Sequence, residues 1–126
     1  MTARKTGSLA VTLGFSMAFL VACGDHAPTR DLEGDPADEI YARAEYEITQ
    51  KDYDDAAQYF AEVERLYPYS DWAKRALIMQ AFSYHRARDY ENARVSAQRF
   101  LDFYPADEDA AYAQYLLALS YYHQRH

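Results

Sequence analysis

The chain has 126 residues, of which 50% are apolar and 16% aromatic, a composition that builds a folded core and differs from that of an acidic disordered tail. Twenty Asp and Glu against thirteen Lys and Arg leave a net charge of −7, which argues against recognition by phosphate neutralisation and so against nucleic acid as a partner. One cysteine excludes an internal disulfide or a thiolate metal cluster, and all four glycines lie within the first 34 residues, so the body has no glycine-rich phosphate loop, nucleophile elbow or dinucleotide-binding turn.

In chain order, the first segment is an address. Arg4 and Lys5 precede an apolar run from Leu9 to Leu20, and no acid occurs before Asp25. A basic start, an apolar stretch and small residues before a cut predict a secretory signal peptide over 1–22. The apolar run is shorter than the roughly 20 residues that a membrane crossing takes. Leu20-Val21-Ala22-Cys23 resembles the lipobox of bacterial lipoproteins. The resemblance implies cleavage before Cys23 and lipid attachment there, as N-acyl and S-diacylglycerol groups; no other cofactor is expected. Several acyl chains hold a protein on a membrane where one would release it, each buried methylene contributing about 0.8 kcal/mol. Gly24 follows the cysteine where an inner-membrane retention signal would have Asp, so the expected location is the periplasmic face of the outer membrane. Residues 23–36 then read as the lipidated cysteine and a flexible tether, rich in turn formers and charge with a single Leu.

From residue 37 onward the periodicity predicts helices only. Ile40, Ala44 and Ile48 recur at helical spacing, and the pattern ends near Gln50-Lys51. Asp52 stands as the N-cap of a second helix, whose stripe is Ala56, Tyr59, Phe60, Val63 and Leu66. Pro68 stops it, because proline disfavours helix at the preceding residue and lacks a donor. Ser70, Asp89 and Asp107 are expected to cap the third, fourth and fifth helices, which explains much of the acidic charge without metal binding.

The body also repeats itself at an offset of 37. Asp52-Tyr53 meets Asp89-Tyr90, Ala56 meets Ala93, and Tyr67-Pro68 meets Tyr104-Pro105. Ala73, Ala76, Ala81, Ser83 and Tyr84 meet Ala110, Ala113, Ala118, Ser120 and Tyr121. Such self-similarity marks a stack of helix pairs, divided as 37–69, 70–106 and 107–126. The expected fold is therefore all-α, a helix-turn-helix solenoid of two full repeats plus the first helix of a third, following a cleaved signal peptide. Ala44, Ala56-x3-Phe60 and Pro68 in the first unit resemble the tetratricopeptide signature, as do Leu77, Ala81, Tyr84, Ala93 and Pro105 in the second. The period is three residues longer than that consensus, consistent with a longer first helix in units two and three.

The run Leu66-Tyr67-Pro68-Tyr69-Ser70-x-Trp72-Ala73, with Arg99-Phe100-Leu101 and Tyr112-Ala113-x-Tyr115-Leu116-x-Ala118-Leu119-Ser120-Tyr121-Tyr122, resembles the N-terminal part of the BamD family, lipoproteins of the β-barrel assembly machinery. The resemblance implies a scaffold of the BAM complex that receives unfolded outer-membrane precursors and contacts BamA and the other BAM subunits. BamA is held mainly through later repeats, which the chain does not include. A different tetratricopeptide lipoprotein, a pilotin or an adaptor for a periplasmic partner, is the alternative.

No catalytic constellation is legible. There is no H-E-x-x-H, no G-x-S-x-G and no Cys-His pair in the body, and His123 with His126 supplies too few ligands for a metal, so neither an enzyme nor a metal site is expected. Binding is the better expectation. In helix-pair solenoids the first helix of each unit lines the concave face. Counting from Ala44, Ala81 and Ala118 places Tyr41, Arg75, Ile78, Phe82, His85, Arg86, Tyr112, Tyr115 and Tyr122 on that face, with Glu45, Ile48, Leu119 and His123 beside them. Rings and cations together suit an extended peptide whose aromatic side chains enter pockets while a terminal carboxylate meets a guanidinium.

Overall fold

A computed structural model describes residues 31–125, and the expected signal peptide and Cys23 lie outside them. Within this span the chain forms five helices, α1 (Ala37–Gln50), α2 (Tyr53–Leu66), α3 (Asp71–Arg86), α4 (Tyr90–Phe103) and α5 (Ala110–Gln124), and no strand. Each helix packs on its neighbour in sequence, giving the expected tetratricopeptide-like antiparallel pairs. The extra residues of the later units do lengthen the first helix: α3 has 16 residues and α5 has 15, against 14 in α1.

The 37-residue repeat is written into the backbone. Tyr67 and Tyr104, which close α2 and α4, have φ/ψ of −130°/54° and −131°/55°. Asp52 and Asp89, which open those helices, have −85°/71° and −83°/74°. Lys51 and Arg88 both sit at φ 66°, the left-handed conformation that ends a helix. The amide of the next residue reaches back in each case, from Asp52 to the Glu47 carbonyl and from Asp89 to that of Tyr84, at 3.0 and 2.9 Å.

Two core clusters alternate along the array. Leu32, Ile40, Ala44, Ala56, Phe60, Val63 and Ala76 close the first, and Leu77, Ile78, Ala81, Ala97, Phe100, Ala113 and Leu116 the second. The alanines let helix axes approach, and Phe60 and Phe100 fill the volume between them. The two units place their large residue one turn apart: α2 uses Phe60 then Val63, and α4 uses Ala97 then Phe100.

Three local expectations are corrected. Leu32 belongs to the expected tether, yet it is buried at 3% exposure in the first cluster, where the following turn is secured by an Arg43–Asp35 ion pair at 2.9 Å and by the Tyr67 hydroxyl donating to the Asp35 carbonyl. Asp107 does not cap α5, which starts after Asp109; its carboxylate instead accepts from the Asp109 amide at 3.0 Å and from Lys74 Nζ at 2.7 Å. Asp52 occupies the N-cap position without a side-chain hydrogen bond to the helix, whereas Ser70 accepts from the Ala73 amide and Asp89 from that of Asn92.

Candidate peptide-binding face

The packing fixes which side of the array is concave. α3 approaches both α1 and α5 backbone to backbone, whereas α2 and α4 keep their backbones apart and meet through the Arg99–Glu64 ion pair. Axes that are closer on one side bend the stack toward it, so α1, α3 and α5 line the inner face. The small residues Ala44, Ala76, Ala81 and Ala113, all fully buried, make that approach possible.

Along α3, Arg75, Phe82 and Arg86 follow one another at steps of seven and four residues and keep their side chains on the open face, Arg75 and Arg86 exposed and Phe82 half-buried. Ile78 lies between them in sequence, but at 6% exposure it is part of the second core cluster. It floors the face and offers a guest almost no surface. The remaining predicted residues separate into two patches, one toward each end of these helices.

At the N-terminal end the Tyr41 ring lies 5.0 Å from Trp72 and 5.1 Å from Phe60, and the Arg75 guanidinium sits 5.3 Å over Trp72. Burial raises the Tyr41 phenol above its ordinary range, Glu45 pushes the same way, and Arg75 opposes both. Its hydroxyl therefore stays neutral, available as a hydrogen-bonding tip on an otherwise packed ring. On α5 Tyr112 and Tyr115 stack at 6.3 Å with both rings exposed, Tyr115 at 58%.

At the C-terminal end Phe82 meets Tyr53 edge-on at 6.4 Å, and Arg86 lies 5.0 Å over the same Tyr53 ring while donating to its hydroxyl at 3.0 Å. One repeat later Tyr90 replaces Tyr53 and His123 replaces Arg86, the two rings stacking at 5.4 Å and 19°. His85 is half-buried against both, 5.5 Å from each, and Tyr122 contacts His123 edge-on. Sequence reasoning left Trp72, Tyr53 and Tyr90 off this face. The repeated Asp-Tyr pair was the available signal, and it reads first as a capping motif.

Among the described residues, Arg43, Arg65, Lys74, Arg94 and Arg99 are each paired with a carboxylate, and Arg94 also lies 4.7 Å over the Tyr121 ring. Arg75 and Arg86 lie over aromatic rings instead, with no carboxylate partner among the described residues. Among the described residues no group of three His, Cys, Asp or Glu side chains converges as a metal site, and no helix is long and apolar enough to cross a membrane.

Helix pairs stacked in register, with rings and ring-stacked guanidiniums on the inner side, define a tetratricopeptide-like helical repeat protein. The family model described as YfiO, outer membrane lipoprotein, matches residues 33–126, and the chain belongs to that family. It is similar to the outer membrane protein assembly factor BamD of Caulobacter vibrioides, 33% identical over 122 residues that cover 94% of this chain and 40% of that protein. The BamD of Rickettsia prowazekii is 36% identical over 103 residues, covering 82% of this chain and 41% of the relative. That of Pasteurella multocida is 26% identical over 92 residues, 73% of this chain and 35% of the relative. The chain thus spans about two fifths of the length of these relatives. No solved structure matches the chain.

Proposed function

We propose that this protein is a non-catalytic scaffold of the BAM complex, held at the periplasmic face of the outer membrane by lipid on Cys23, which binds unfolded β-barrel precursors and passes them toward BamA and the other subunits. Its work is positioning, with no covalent step. The observation that carries the reading is the pair Arg75 and Arg86, exposed on the concave face and committed to rings and not to carboxylates. A guanidinium held flat by an aromatic ring is pre-oriented for bidentate contact with a carboxylate, and the neighbouring Phe82, Tyr41 and Tyr115 supply apolar surface for a guest's aromatic side chain. The names of the relatives, assembly factors of outer membrane proteins, agree with a client of this kind.

Fluorescence anisotropy with a labelled extended peptide ending in Phe tests the face. Arg86→Glu and Phe82→Ala should each weaken binding by about tenfold, as hot-spot truncations do, with an unchanged helical circular dichroism spectrum. Unaltered affinity in both variants would reject the assignment. Lipidation is tested separately: radiolabelled palmitate should enter the wild-type chain and not Cys23→Ser.

A further inference from the structure

We propose that His85, Tyr90 and His123 form an acid-sensitive latch that fastens the last turns of α5 onto the α3–α4 pair. Each ring comes from a different helix, and the three contact one another at 5.4–5.5 Å. This is the position where the preceding repeat uses Arg86 over Tyr53, a contact that keeps its charge at every physiological pH. Replacing the arginine by histidine at the equivalent position turns a permanent contact into a titratable one.

The surroundings favour neutral rings. Nε2 of His85 is buried and meets no hydrogen-bond partner among the described residues, so a proton placed there would be poorly compensated. The groups that act on His85 are His123 from α5 and Arg86 on its own helix, both opposing a further positive charge, while Tyr90 faces it from α4 with a neutral ring. Burial is the largest influence and, with these two, holds His85 below the ordinary histidine value of 6.5. Glu91, which ties α4 to α5 through Gln124, is held below the usual carboxylate range by Arg94 and Gln124 and stays ionised through the same interval. His85 is therefore the group that changes. Because the folded chain binds this proton less readily than the unfolded one, the latch is at full strength above pH 6.5 and weakens as the pH falls below it. Opening it would loosen the last turns of α5 at the C-terminal rim of the concave face while leaving α1 and α2 in place.

The test is an NMR pH titration of the histidine rings of the full chain, combined with amide hydrogen exchange corrected for the intrinsic effect of pH. The expected result is that His85 titrates below 6.5 and that amides 119–124 lose protection several-fold over the same interval, with those of α1 and α2 unaffected. His85→Gln should abolish that acid-linked loss. His85 titrating at or above 6.5, or the same loss in His85→Gln, overturns the latch. Should His85→Gln not fold, His85→Phe, whose ring fills the same place and takes no proton, carries the same comparison, and its retention of the wild-type acid response would equally overturn it.

Discussion

Phe100 and Phe60 carry the apolar volume of this molecule out of proportion to their number, because half of the other buried residues in each cluster are alanine. An alanine-rich interface brings helices close but leaves little side-chain mass to refill a hole. Phe100→Ala should therefore cost about 3–5 kcal/mol, read as a lowered urea midpoint. Capping gives a paired comparison at the same scale. Ser70 accepts from the Ala73 amide at 3.1 Å, whereas Asp52 makes no such bond, so Ser70→Ala should cost about 1 kcal/mol and Asp52→Ala clearly less by the same measurement. Two buried hydroxyls, Ser83 and Ser120, are repeat equivalents in the cores of α3 and α5, where their small size matters as it does for alanine.

The helices end in an unusual way. Lys51 and Arg88 hold the left-handed conformation that glycine adopts without steric cost, and the body of the chain has no glycine. Lys51→Gly should raise stability by about 0.5–1 kcal/mol, the relief of backbone strain exceeding the entropy that glycine adds to the unfolded chain. Between repeats, side chains bridge helices of consecutive units. Lys74 pairs with Asp107 at 2.7 Å and Arg99 with Glu64, while within the second unit Ser96 on α4 donates to Gln80 on α3 at 3.1 Å. The hydrogen bond from Lys74, with the Asp109 amide, holds the Asp107 carboxyl below its ordinary value of 3.8. A carboxylate with a lowered folded pKa contributes stability above that ordinary value and loses it as the pH falls through the folded one. Lys74→Met should accordingly flatten the acid limb of a thermal-melting pH series below pH 4 and leave the neutral limb parallel to wild type.

At the scale of the whole molecule, curvature makes the face. α1, α3 and α5 approach through alanines while the backbones of α2 and α4 stay farther apart, and the inner side gathers Tyr41, Arg75, Phe82 and Arg86 in a chain whose net charge is −7. Binding of a carboxylate-terminated peptide here should weaken several-fold when salt is raised from about 50 to about 500 mM, because Arg75 and Arg86 are exposed and screened. Binding that ignores salt would point to the rings alone.

The helices, their pairing and their 37-residue repeat were legible in the sequence because each depends on local spacing: apolar residues at helical intervals, alanine where axes meet, proline where the chain turns. The family membership followed from those same residues. What lay beyond the sequence were contacts between segments distant along the chain. Leu32 reads as part of a polar tether until α1 and α2 provide a cavity that covers it, and Ile78 reads as groove lining until the second cluster closes over it. Asp107 reads as a helix cap until Lys74 from the previous unit reaches it. Likewise, Tyr53 and Tyr90 gain their cationic and imidazole partners only when successive repeats come into register. Periodicity along one helix determines which residues face inward; which of them become core and which remain open to a guest is decided by the distance between helices, a quantity that arises only from packing.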